Sequence, residues 1–186
     1  MTAKKRRETT MARQAKTQAS DTAVQAEPQR KLIERLAEWM DSNDWKHDSN
    51  PEKGTISTGC NKKDVSVRSW LEVHDGEDWQ RVMTLTFYPA RAPEARRAAT
   101  AEAINRINQR LVFGNFEMDP EDGEIRFRTT VEAPSTIDDT LFDRVFHSNL
   151  SAADRYFPAL MAVAYGNAAL ASVLDLARPV EKTTLQ

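Results

Sequence analysis

The chain is 186 residues long, 40% hydrophobic and 29% charged, with a formal net charge of −2. Those values suit one globular domain with a real core plus a tail. They exclude a disulfide scaffold or thiol-built metal cage, since there is one cysteine, Cys60, and a helical membrane span, since no apolar run nears ~18–20 residues.

The charge is uneven. Residues 1–27 carry six basic and three acidic groups, a net of +3, and almost no large apolar residue; the remaining 20 basic and 25 acidic groups leave the rest at −5. The first stretch cannot bury enough surface to offset its ordering entropy and reads as a disordered tail, rather than as a tether for nucleic acid centred on Lys4–Arg7. A mildly acidic domain argues against nucleic acid as the partner. The basic N-terminus has no apolar core behind it, so it is not a secretory signal, and a lone thiol fits a reducing cytoplasm. The expected organisation is a tail over 1–27, a single domain over 28–178 and a flexible C-terminus over 179–186.

In chain order, residues 28–42 read as a helix with Leu32, Ile33, Leu36, Trp39 and Met40 on one stripe. Residues 43–64 are hydrophilic and turn-rich, with short strands near Trp45 and Thr55. A strand over 64–74 alternates Val65, Val67, Leu71 and Val73 against Ser66, Arg68, Trp70 and Glu72. After an Asp75–Asp78 turn, a strand over 79–88 is expected with Met83, Leu85 and Phe87 inward and Val82, Thr84, Thr86 and Tyr88 outward. A helix over 93–113 puts Thr100, Ala103, Ile104, Ile107 and Leu111 on one face. Arg96, Arg97 and Arg110 fall at its margins as solvated heads rather than as a phosphate site. Gly114 reads as its stop. The Asp119–Gly123 turn then joins two strands, the second alternating Ile125, Phe127, Thr129 and Val131. A helix over 138–149 is followed by Ser151 and Asp154, spaced like a capping box, and by Pro158, which should kink or restart the helix. A last helical stretch is expected over 168–177.

This order is an α+β fold, α-βββ-α-ββ-α, with an antiparallel sheet packed by helices. With Asn105, Asn108, Gly114, Phe116, the Asp119–Gly123 turn, Arg128 and the Asp154–Tyr156–Pro158 segment, it resembles the YbjN family over residues 30–175. That family is similar in fold to the type III secretion chaperones, non-enzymatic dimers that bind extended segments of other proteins. The label "sensory transduction regulator" attached to it implies no defined chemistry.

His47, His74 and His147 lie on different elements. The acidic hairpin turn lacks the ligand arrangement of an EF-hand and reads as a solvated turn. No phosphate loop, nucleophile elbow or HExxH pattern occurs. The expectation is therefore a protein without catalytic, cofactor or metal residues, acting as a chaperone-like or adaptor module that binds another protein. The alternative is a nucleic-acid-binding regulator using the tail and an outward set of Arg68, Trp70, Tyr88, Arg126 and Arg128, which pairs cations with stacking platforms. Phe142, Phe146, Phe157, Met161 and Tyr165 spread past one helix face, so a homodimer through the C-terminal helices is expected. In the competing account residues 168–177 fold back over that patch.

Overall fold

A computed structural model of the chain describes residues 31–62, 65–134 and 136–177. The tail assigned to 1–27, the helix start before Lys31 and the C-terminus after Ala177 lie outside the described residues. The elements are α1 (Leu32–Ser42), β1 (His47–Asn50), β2 (Thr55–Asn61), β3 (Ser66–Asp75), β4 (Gln80–Arg91), α2 (Arg97–Asn108), β5 (Asn115–Met118), β6 (Glu124–Ala133) and α3 (Asp139–Ala164). Short 3₁₀ turns cover Glu94–Arg96 and Leu170–Ser172. Six antiparallel strands form one sheet in the order β1-β2-β3-β4-β6-β5. The fold is α+β as expected, except that four strands, not three, precede α2.

The three helices of the described residues lie on one face of the sheet. Ile56, Val67, Leu71, Val73, Val82, Ile125 and Phe127 project into the layer between them and are buried. Each such side chain stabilises the fold by about 1.5–3 kcal/mol on full burial. β3 and β6 keep the expected phase, but β4 is inverted. Val82, Thr84, Thr86 and Tyr88 face the helices, and Met83, Leu85 and Phe87 face the other way. The reason is Asn149, fully buried on α3. Its amide donates to the Thr129 hydroxyl at 3.0 Å and the Thr84 carbonyl at 3.2 Å, and its oxygen accepts from Thr86 at 2.5 Å. The Thr86 hydroxyl is thereby partnered on the core side, whereas the Thr84 hydroxyl is buried there without a hydrogen bond among the described residues. Strand β4 also continues past Pro89 to Arg91, with its register shifted between Phe87 and Arg91, an irregularity that tolerates a residue without an N–H.

Helix α3 does not break at Ser151. Phe142, Val145, Phe146, Asn149, Leu150, Ala153, Tyr156, Ala159, Leu160 and Val163 form one buried stripe at spacings of three and four. The continuous burial outweighs the ~3 kcal/mol cost of an interior proline. Ser151 and Asp154 are thus interior residues, and the cap is Asp138, whose side chain accepts from Leu141 N at 2.8 Å. Arg96 closes the other end, donating from Nε and Nη2 to the Val163 carbonyl at 3.0 and 2.7 Å. A cation there meets both an orphan carbonyl and the negative end of the helix dipole. Arg97 is engaged too, with the Ala92 and Pro120 carbonyls.

Helix α2 ends at Asn108, well short of Gly114. The Asn108 amide donates to Phe116 O at 3.0 Å, and its oxygen accepts from Phe116 N at 2.8 Å, clasping β5 to the helix end. Gly114, at φ +74°, instead lets the chain enter β5, because a Cβ there would lie 2.7 Å from Arg128 O. Residues 168–177 form turns rather than a helix, and Val173 among them is fully buried.

Candidate interaction face

No helix among the described residues covers the second face of the sheet. Strand register fixes what stands there. Leu85 pairs with Trp70 on one side and Arg128 on the other; Phe87 pairs with Arg68 and Arg126; Met83 pairs with Glu72 and Thr130. Met83, Leu85 and Phe87 therefore run as an apolar stripe up the centre of the face, with side chains of β3 and β6 along its margins. Trp70 beside that stripe is 37% exposed. Arg68 stands over the Phe87 ring at 5.4 Å, a cation–π arrangement. A shallow depression of about 390 Å³ opens next to Arg68, lined by Lys46, Asp48, Ser57 and Gly59 among others.

Glu117 on edge strand β5 holds the arginines of β6. It accepts from Arg126 Nε at 2.9 Å and pairs with Arg128 Nη2 at 2.7 Å, while Asn115 donates to it at 3.1 Å. Partial burial raises its carboxyl pKa, but the Arg126 and Asn115 hydrogen bonds and the charges of Arg128 and Arg126 outweigh that, and the net shift is downward. Glu117 was absent from the sequence reading. The Asp119–Gly123 turn carried the signal, since that turn sets Glu117 opposite Arg126.

Of the five residues expected on the exposed face, Arg68, Trp70, Arg126 and Arg128 are brought together on it. Tyr88 is not: it is buried on the opposite side, and its hydroxyl donates to the Ala153 carbonyl of α3. Its phase follows from the inversion of β4. The apolar set on the C-terminal helices also divides. Phe142 and Phe146 are fully buried within the chain, edge-on to Trp39 at 4.9 and 6.0 Å, and Trp45 adds a further contact to Phe146. They cannot form an outer surface, because α1 is the second surface that the breadth of their helix implied. Phe157 and Met161 are half-buried, and Tyr165 is 58% exposed with its hydroxyl on Arg91 O.

The acidic hairpin turn closes on itself. Asp119 and Asp122 accept from the Glu121 and Glu124 amides, and Arg91 pairs with Asp122 at 2.7 Å. Among the described residues no cluster of His, Cys, Asp or Glu could hold a metal ion, and no helix is long and apolar enough to cross a membrane.

The model of the YbjN family, described as "Putative bacterial sensory transduction regulator", matches residues 32–162. Among solved structures the chain is similar to that of YbjN from E. coli, described as "a putative transcription regulator", at 10% identity and a TM-score of 0.47, over 79% of this chain and 96% of that one. No curated protein matches. Because the family model spans well over half of its length, the chain belongs to the YbjN family.

Proposed function

We propose that the chain is a non-enzymatic regulatory adaptor that works by binding protein through the open face of its sheet. The observation carrying this reading is the exposed Trp70 beside the stripe of half-buried Met83 and Phe87 and buried Leu85, on a sheet whose other face holds the helices of the described residues. An antiparallel sheet left open to water normally presents polar residues there. An aromatic anchor flanked by arginines is instead the composition of a protein contact. The regulatory role agrees with the family description.

Nucleic acid is the poorer reading of the same face. Two of its arginines are committed to Glu117, and Tyr88, one of the two stacking platforms expected there, lies in the core.

The test is affinity capture with the intact chain, Trp70→Ser and Tyr165→Ser in parallel. Proteins retained by the first and third but lost from the second support the reading. Equal retention by all three, or loss only with Tyr165→Ser, rejects it.

A further inference from the structure

Gly59 lies inside β2, and nothing in the backbone there calls for a glycine. Its φ is outside the left-handed region, and a Cβ would meet the Val67 carbonyl at 3.7 Å, an ordinary contact. A bare position within a strand weakens it and often marks the close approach of another group. Gly59 pairs with Arg68 on β3, and the β1–β2 register, carried back one residue from His47, sets Lys46 on its other side. Strands stand about 4.8 Å apart, so two cations rise about 10 Å from each other with no side chain between them. The gap opens into the depression of about 390 Å³ on this face. Neither cation has an ion-pair partner among the described residues. Arg68 is held over the Phe87 ring, and a stacked guanidinium keeps its N–H edges free to donate. Asp48 also lines the hollow, but beside Ser57, one side-chain step of about 7 Å along β1 from Lys46.

We infer that this hollow is a carboxylate subsite: an aspartate or glutamate of the protein bound on the open face places its side chain over Gly59, between Lys46 and Arg68. The inference rests on the adaptor reading and names the chemistry of the partner. Charge selects the occupant. Lys46 and Arg68 less Asp48, with His47 neutral, leave the lining at +1. One carboxylate cancels that, whereas a phosphorylated side chain, at nearly two negative charges, overshoots it. Depth selects the carrier. A small-molecule site encloses most of its ligand, but this hollow is shallow and open, so the acid is held by a larger molecule. Trp70 stands across from Ser57 at the rim, with Leu85 beside it. A segment anchored on that apolar stripe therefore carries its acid within reach of both cations. Complementary charge next to an apolar anchor fixes the register of such a contact.

Amide shifts of the intact chain, followed by NMR, test the subsite with three probes: N-acetyl-glutamate amide, N-acetyl-glutamine amide and N-acetyl-phosphoserine amide. The glutamate probe should move Ser57, Gly59 and Arg68 saturably at millimolar concentration, and the glutamine probe should not. Lys46→Gln and Arg68→Gln, both at exposed positions, should each weaken the glutamate response about fivefold or more, as loss of a charge-assisted bond does. Gly59→Glu sets a carboxylate of the chain itself in the hollow. With its fold checked by circular dichroism, it should abolish the response and release the proteins that Trp70→Ser releases. No saturable shift, an equal response to the glutamine probe, or tighter binding of the phosphoserine probe overturns the inference. So does a folded Gly59→Glu that retains the proteins lost by Trp70→Ser, a result that leaves the adaptor reading standing. A glutamate response together with full retention by Trp70→Ser would reject the adaptor reading, and with it a protein as the carrier of the acid.

Discussion

Thr86 Oγ1 donates to Asn149 Oδ1 across 2.5 Å of fully buried space between the sheet and the long helix. Ser69 lies against the same hydroxyl at 2.7 Å. The pair joins the centre of the sheet to the middle of α3 by polar contacts within an otherwise apolar layer. Asn149→Ala takes the amide from the Thr129 hydroxyl and leaves the Thr86 hydroxyl only Ser69, and should cost about 1–3 kcal/mol of unfolding free energy. Urea denaturation reads this directly, and a loss under about 0.5 kcal/mol would mean that the contact contributes little.

The Glu117 clamp makes stability depend on pH in one direction. Its carboxyl pKa is lowered on folding from the ordinary 4.5. The unfolded chain therefore binds the proton more readily. The contribution of the clamp is complete above 4.5 and is lost as pH falls through the lower folded value. Glu117→Gln should flatten that part of the stability–pH profile. Near neutral pH it should cost no more than about 1 kcal/mol, as for other half-exposed pairs. An unchanged acid limb would contradict the assignment.

Arg96 ties the last turn of α3 to the start of α2 through the Val163 carbonyl. Arg96→Met keeps most of the stem and removes both donors. It should lower stability by about 1–2 kcal/mol and speed amide exchange in the last turn of α3. Unaltered exchange there would show that water replaces the guanidinium without penalty.

Gly123 adopts φ +76° in the β5–β6 turn, and a Cβ on it would run into the Ala92 carbonyl. Gly123→Ala should therefore destabilise by more than the ~1 kcal/mol of a left-handed alanine alone, because the Ala92–Gly123 backbone bond at 2.8 Å is forced apart as well. Thermal unfolding checks it. A melting temperature equal to that of the unsubstituted chain would rule out the close approach.

Strand alternation made β3 and β6 legible, because only one face of each is strongly apolar. It misled at β4, where both faces are rich in apolar or β-branched side chains. The larger ones, Met83, Leu85 and Phe87, lie on the open side. Counting back from the β3–β4 hairpin would have corrected the phase, since Asp75 pairs with Gln80 and Leu85 must then share a face with Trp70. The dual use of Asp75 was not legible. It accepts from the Leu32 amide at the start of α1 and from Gln80, which in turn accepts from the Ile137 amide. Nothing in local sequence brings those three segments together. Likewise the breadth of the apolar surface on α3 was visible, but not that α1 and Trp45 fill it.

The adaptor reading stands or falls on which surface is shielded when the chain meets protein. Hydroxyl-radical footprinting of the free chain and of its purified complexes measures that side chain by side chain. The account predicts protection of Trp70, Met83 and Phe87, with Tyr165 and Met161 unchanged. Protection of Tyr165, Met161 and Phe157, with Trp70 as reactive as in the free chain, would contradict it and return the contact to the C-terminal helix.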